Sequence, residues 1–438
     1  EPANPALLND LAGSHSTLGA LYLDTGETQR GLTHSRKGVA LLAAAAQATP
    51  SDLQAKLRWQ IAQRSFFYVA SGAGQITEAL ASLQQAVAVG EELSAAQPDN
   101  LSYGAQLALA LREFANQQWW HGEPSGARQN LERARLLLEK WAKQDPTSRS
   151  AAHNLFATEM DLGDLLLRSG NPGEALRQFQ RQQLPLEAMV AKDQGNLQAR
   201  RNLALCLERI GRAHAALNDH SKALAAFRQV LALKQELAAG DKNNTRFNRD
   251  FAESYVNIAR QLQELGALPE ALTEVQKAQE VFEAMLSREP NGLYLRRQAA
   301  EGMQLLARLL CQTGRPAEAR QYASRALTMQ RELADIPDMI GVYLYEYAWA
   351  ALTCQPAELR EPVAALHYAK LAAERTREND PSILKALALA YHLAGDQNAA
   401  HQTARKGLTL LPVNDGTPNA LRMELEALLD EIEKVPKG

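Results

Sequence analysis

Three arginines, Arg212, Arg260 and Arg308, follow one another at intervals of 48 residues. A guanidinium offers a planar fork of donors that fits a carboxylate, so three held in register would suit carboxylates or an acidic peptide. Arg201, Arg249 and Arg297 recur at the same interval near the starts of helices. These read as structural, pairing with acidic groups or loop carbonyls of a neighbouring repeat. Arg64 and Arg112 are also 48 apart, each followed four residues later by a polar side chain, Tyr68 and Asn116. Catalytic chemistry finds no such support. The nine histidines include no HExxH and no His/Cys cluster at ligand spacing. No Ser-His-Asp set can be read, and 50 acidic residues single out no catalytic pair. Cys206, Cys311 and Cys354 are not spaced as a metal or redox pair, and an odd count gives no disulfide framework. Cys206, mid-helix among apolar residues, reads as a small buried hydrophobe. Ser71-Gly72-Ala73-Gly74-Gln75 is glycine-rich but lacks the Lys-Ser/Thr of a phosphate loop, so it reads as a turn. Asn243-Asn244-Thr245 has the form of a glycosylation sequon and is taken as coincidence. The expectation is therefore no catalytic residue, no metal and no cofactor.

The elements that must hold these side chains are clearest at residues 201–230. Apolar and small residues recur there at three- and four-residue spacing: Leu203, Leu207, Ile210, Gly211 and His214, then Ala223, Ala226, Phe227 and Val230. That spacing lays one stripe on each of two helices, and Asn218-Asp219 breaks them with a tight turn. Shifted by 48 residues, the pattern occurs seven times. A first-helix small position reads Gly19, Phe67, Ala115, Gly163, Gly211, Ala259, Ala307. The turn position reads Gly26, Gly74, Gly122, Gly170, Asn218, Gly266, Gly314, residues that tolerate positive φ. A second-helix small position reads Gly31, Ala79, Ala127, Ala175, Ala223, Ala271, Ala319, and small residues let helices approach closely. Units close at Pro50, Pro98, Pro146, Gln194, Lys242 and Pro290, with Pro337 one residue early. Proline opens or ends a helix but cannot sit inside one. A fixed period of this kind predicts an all-α solenoid whose helices run four turns or more, on the order of 25–30 Å.

The pattern resembles the tetratricopeptide repeat (TPR): Thr17-Leu18-Gly19 with Tyr22 and Gly26, Ala175 with Phe179, and Ala223 with Phe227 match its consensus. The usual unit is about 34 residues and this one is longer. The resemblance implies a right-handed superhelix of helical hairpins with first helices lining the concave face. It also implies that ligands meet the position after the consensus glycine, here Ala20, Tyr68, Asn116, Asp164, Arg212, Arg260 and Arg308. Three residues before the glycine position stand Arg64, Arg112, Met160, Glu208, Val256 and Gln304. Asn116 with Arg112 resembles part of the two-carboxylate clamp of chaperone-binding TPRs, whose remaining Lys and Asn positions are not matched. Of Trp119 and Trp120, one is expected in the core and the other as a groove anchor, with Trp119 assigned to partner binding. The candidate partner-binding residues are thus Arg64, Tyr68, Arg112, Asn116, Trp119, Arg212, Arg260 and Arg308.

The register changes after residue 338. A first helix ends near Trp349-Ala350-Ala351-Leu352-Thr353-Cys354, residues 355–362 (QPAELREP) interrupt, and a shorter unit with Tyr391, Gly395 and Ala400 follows. These stretches resemble the ends of TPR tails on bacterial Ser/Thr protein kinases, although no Gly-rich loop, HRD or DFG is present. Thr417 is expected to cap a last helix with Pro418 at its first position. Leu421, Leu425, Leu428, Leu429 and Ile432 form its apolar face. One domain over 1–438 is expected, with 48-residue modules at about 10–338, shorter units at about 340–375 and 381–412, and a capping helix at about 417–434.

Composition agrees with a helical stack: 46% hydrophobic, 6% aromatic, net charge −3, which argues against nucleic acid as the main partner. No apolar run reaches membrane-spanning length. The chain begins Glu1-Pro2-Ala3-Asn4, which reads as a fragment or a processed form, placed in the bacterial cytoplasm or beyond the membrane if the parent spans one. Two function classes compete. One is a non-catalytic module holding a protein or peptide, acidic in character, in its groove, as the sensor or scaffold of a signalling protein. The other is a small-molecule sensor or enzyme with a pocket inside the superhelix. An open trough favours the first and a deep pocket with converging charges the second.

Overall fold

The structure is a computed structural model that describes residues 5–24, 27–193, 195–239, 245–288, 290, 292–337, 339–413 and 416–434. The described residues form nineteen α-helices and no strand. Seven hairpins follow the 48-residue period: α1 (Pro5–Asp24) with α2 (Thr28–Ala48), α3 (Leu53–Gly72) with α4 (Ile76–Ala96), and α5 (Leu101–Trp120) with α6 (Pro124–Gln144). Then come α7 (Arg149–Arg168) with α8 (Pro172–Lys192), α9 (Leu197–Ala216) with α10 (His220–Ala239), α11 (Thr245–Glu264) with α12 (Leu268–Leu286), and α13 (Leu293–Gln312) with α14 (Pro316–Ala334). Two shorter hairpins, α15 (Gly341–Thr353) with α16 (Pro362–Arg375) and α17 (Pro381–Leu393) with α18 (Gln397–Thr409), precede the last helix, α19 (Ala420–Lys434). Gly26, Gln194, Lys242, Asn243, Asn244 and the side chain of Arg249 lie outside the described residues.

Local chemistry explains the boundaries. Gly74, Gly122, Gly170, Gly266 and Gly314 all adopt positive φ, and Asn218 joins them at φ 60°. Asp52 accepts hydrogen bonds from the N–H groups of Gln54 and Ala55 at the start of α3, and Asn100 does the same for Ser102 and Tyr103 at α5. Proline opens α6, α8, α12, α14, α16 and α17. Inside each hairpin the small positions bring the helices together. A Cβ added at Gly163 would lie 2.1 Å from Cε1 of Phe179, and one at Gly211 2.8 Å from the same atom of Phe227. Where the first helix gives up its side chain, the second fills the space with an aromatic ring sixteen residues on.

The last helix departs from expectation. It begins at Ala420, and its cap is Asn419, whose Oδ1 accepts from the Arg422 N–H at 3.1 Å. Thr417 and Pro418 stay in the preceding loop because the amide of Asn419 is also held from outside, donating to the carbonyl of Gly170 at 2.7 Å. The apolar face of α19 is as read: Leu425, Leu428 and Ile432 are buried, with Leu421 and Leu429 against them.

The chain divides into two compact units. The first comprises Glu1–Trp119 and Glu123–Leu162, the second Trp120–Gly122 and Gly163–Gly438. Within the first, α1 touches α3; within the second, α11 touches α13 and α15 touches α17. At these three places first helices of neighbouring hairpins touch directly, and second helices pack on their own partners. In the second unit, Asn379 also donates to the carbonyl of Gly122 at 2.8 Å. Loops of its last hairpins therefore return to two of its early inter-helix turns.

Candidate ligand-binding face

The layer of first helices is laced together by side chains one module apart. In the first unit, Arg64 on α3 makes a two-pronged pair with Glu113 on α5, Nε to Oε2 at 2.8 Å and Nη2 to Oε1 at 2.6 Å. Tyr68 donates its hydroxyl to the same carboxylate at 2.7 Å. Glu113 is only 8% exposed. Tyr68 is 52% exposed as a whole, but desolvation at its hydroxyl, with the Glu113 charge behind it, pushes that group well above its ordinary pKa, so it remains a donor. One module later the construction repeats more loosely. Arg112 Nε lies 3.4 Å from Asp161 Oδ2, and Asn116 Nδ2 lies 3.5 Å from the same oxygen. The Arg112–Asn116 pair that resembles half of a carboxylate clamp is therefore facing a carboxylate of its own chain.

In the second unit the same positions diverge. Asp164, the module equivalent of Tyr68 and Asn116, accepts from Arg209 Nε at 2.8 Å, a pair of reversed sign. Arg212 reaches back to within 4.0 Å of Asp164 Oδ1. Forty-five residues beyond Tyr68 and Asn116 stand Glu113 and Asp161; forty-five beyond Arg212, Arg260 and Arg308 stand Asn257, Leu305 and Thr353. No carboxylate waits for these arginines on the next helix at that position. Arg260 turns instead to Glu301 Oε1 at 2.5 Å. Glu301 keeps 51% of its side-chain surface open. Burial opposes its charge, but Arg260, then Arg297 and Arg212, outweigh that and hold its carboxyl below the usual range. Arg308 is half-buried and makes no ion pair or hydrogen bond among the described residues. Burial, then the neighbouring Arg260, lowers its pKa from the ordinary value for arginine, against the charge of Glu264.

Other expectations resolve as follows. Trp119 is 7% exposed and belongs to the buried side of α5. Buried Trp119 is therefore not an exposed anchor, and Trp120, half-buried, carries the Arg168 guanidinium 4.5 Å above its ring. Arg297 pairs with Glu346 through Nε at 2.8 Å, the structural use read for that series. Cys206 is buried, its thiol directed at the Phe179 carbonyl and pushed up to about 12 by burial. Among the described residues, no three His, Cys, Asp or Glu side chains are placed to hold a metal ion, and no helix is long and apolar enough to cross a membrane.

What sequence reasoning missed is the set of carboxylates. Glu113, Asp161 and Glu346 each stand 49 residues after an arginine, namely Arg64, Arg112 and Arg297. A module plus one residue is a signal present in the sequence, but visible only once the period has been accepted as a contact map.

The fold and this face define a TPR-type helical repeat chain. Residues 205–237 and 300–337 each match the family Tetratricopeptide repeat. The first match runs from within α9 to near the end of α10, so a unit of ordinary length sits around the turn and extra turns extend the hairpin at its far end. Among solved structures, a Rap protein complexed with Competence and Sporulation Factor aligns at TM-score 0.52 and 12% identity, covering 97% of this chain and 99% of that one. The apo form of RapI aligns at TM-score 0.49 and 11% identity over 91% of this chain and 97% of that one. A thermophilic TPR protein from Thermus thermophilus aligns at 0.35 and 20% identity over 52% and 98%. No curated protein matches the chain in sequence.

Proposed function

We propose that the chain is a non-catalytic binding module whose inner face captures an acidic protein or peptide through Arg212, Arg260 and Arg308. The observation that carries this is the contrast one module apart. Tyr68 and Asn116 meet carboxylates of the chain itself, whereas Arg308 meets none among the described residues. The Glu264 charge acts on Arg308 without forming an ion pair, and a ligand carboxylate in contact would relieve the cost of its partial burial. Single exposed ion pairs contribute only about 0–1 kcal/mol, so several must act together. The fold suits capture: a Rap protein of this architecture was solved in complex with Competence and Sporulation Factor. The test is a pulldown with the chain against its Arg212/Arg260/Arg308 triple Ala variant. Recovery of one partner by the first and not the second, weakening between 0.1 and 1 M salt as the Debye length shrinks from about 10 to about 3 Å, supports the reading. A partner indifferent to both changes removes it.

The resemblance of residues 347–412 to bacterial kinase tails supports a place as the sensor or scaffold region of a larger signalling protein such as a Ser/Thr kinase. Reading the genomic frame ahead of Glu1 tests this. A frame without a catalytic domain discards the kinase setting and leaves the binding role in place.

A further inference from the structure

The first hairpin brings together two histidines that the acid-binding role leaves unused. His15 on α1 and His34 on α2 face each other through their Nδ1 atoms at 2.8 Å. Their ring centroids are 5.0 Å apart and the planes are tilted by 41°. Small residues on both helices make this approach. A Cβ added at Gly19 would lie 1.9 Å from Ser35 Oγ, and one at Gly38 2.8 Å from Ser16 Oγ. The Tyr22 ring lies beside His34, with centroids 5.5 Å apart. At the module equivalents of the two histidines the chain carries Gln63 with Ser82, Leu111 with Asn130, and Leu207 with Ala226. No other module repeats the two imidazoles.

Two imidazole nitrogens so placed can share one proton or one metal ion. In the hydrogen bond, one ring donates its Nδ1 proton and the other accepts with its lone pair. Once that proton moves through solvent to Nε2, both Nδ1 lone pairs are available to the same ion, and the net proton count is unchanged. Imidazole binds zinc at about 2.0–2.1 Å, so two such nitrogens on neighbouring corners of the ion stand about 3 Å apart. The observed separation falls only slightly short, and a small turn of the rings supplies the rest. Burial, then His34 and Lys37, lower the His15 pKa, so at neutral pH this ring is uncharged and ready to coordinate. Neither ring makes a second hydrogen bond among the described residues. The Lys37 charge opposes a second cation, and with water in the remaining positions the site is weaker than one of four protein ligands. Imidazole suits zinc, nickel and copper, and the affinity of a given site peaks at Cu2+.

We propose that His15 and His34 form a two-histidine site for one divalent transition-metal ion, Cu2+ most tightly, which joins α1 to α2 in place of the shared proton. Calorimetric titration of the whole chain with CuCl2, in a weakly coordinating buffer, tests this. The tightest step should take up one ion per chain. His15→Ala and His34→Ala should each weaken that step about tenfold, and the double variant should bind no more weakly than either, because one imidazole alone cannot chelate. His153→Ala removes an exposed histidine of the same unit and should leave the step unchanged. In the unaltered chain, Cu2+ should also slow amide hydrogen exchange in α1 and α2, a readout that needs no variant to fold. A tight step that survives in the double variant, or exchange in α1 and α2 indifferent to copper, would remove the site. Absence of any such step in the unaltered chain removes it as well.

Discussion

The inner layers of the two units place equivalent residues to opposite ends. In the first unit, the position after the first-helix small residue carries Tyr68 and Asn116, and each closes on a carboxylate of the next helix. In the second, three arginines take that position, and the next helix offers Asn257, Leu305 and Thr353 instead of an acid. Polar groups on a helical layer can hold the layer together or be held ready for something else. Which they do is decided by one residue, a module away. A repeat protein can thus move between cohesion and recognition without altering its core.

The largest effect that would test this contrast is on stability. Glu113→Ala removes the buried carboxylate that holds Arg64 and Tyr68, and should cost about 1–3 kcal/mol in urea denaturation. Arg308→Ala should cost less than about 0.5 kcal/mol, since no partner is lost. Similar losses from the two would mean that both faces serve cohesion. The second unit should instead be sensitive in its hairpin contacts. Ala223, fully buried, replaced by Leu should overpack and cost about 1–3 kcal/mol, while the exposed Lys222→Ala next to it costs less than about 0.5 kcal/mol.

Exchanges between the units sharpen the comparison. Asp161→Asn removes the carboxylate facing Arg112 and Asn116, and Arg112 Nε and Nη1 already lack other hydrogen-bond acceptors. The variant should lose about 1–3 kcal/mol and gain salt-sensitive binding of an acidic peptide in the first unit, measured with Arg212, Arg260 and Arg308 replaced. No gain in binding would show that the first-unit pair is not a latent site. The reverse change, Asn257→Asp, supplies the missing counter-charge opposite Arg212. It should leave stability within about 0.5 kcal/mol and lower acidic-peptide affinity severalfold. The smallest effect is a pH signature. Burial raises the Glu253 carboxyl above its ordinary value, against the hydrogen bond from Tyr294. A raised carboxyl costs stability above its folded pKa, and acidification relieves the cost. Glu253→Gln should therefore stabilise the chain at pH 7, with the gain gone by pH 4, in paired denaturation curves. A gain that persists at pH 4 would place its cause elsewhere.

Much of the fold was legible because its determinants are local. The turn glycines and Asn218, the prolines opening second helices, and the buried alanines each act within one hairpin, so a 48-residue period exposes them. The choice between Trp119 and Trp120 was not legible. Neighbours on a helix differ by about 100° in direction, and only the packing partners decide which faces inward. The start of α19 misled for a related reason: Thr417-Pro418 is a good local signal, but Asn419 is fixed by Gly170, 249 residues earlier in the chain. The carboxylates of the inner layer lay between these extremes. Their spacing is regular, yet it joins helices that are neighbours in the layer and not in the chain.

The six positive-φ turns within the 48-residue modules are not equally free to drift. A side chain begun at Gly74, Gly266 or Gly314 would meet nothing within 4 Å, and Asn218 already shows that such a turn accepts a Cβ. At Gly122 the same atom would lie 1.9 Å from the Thr376 carbonyl oxygen, and at Gly170 2.4 Å from Leu411 Cδ2. In related sequences the first three should wander among Gly, Asn and Asp and accept inserted tags, whereas the two docked turns should stay glycine for as long as the last hairpins return to them.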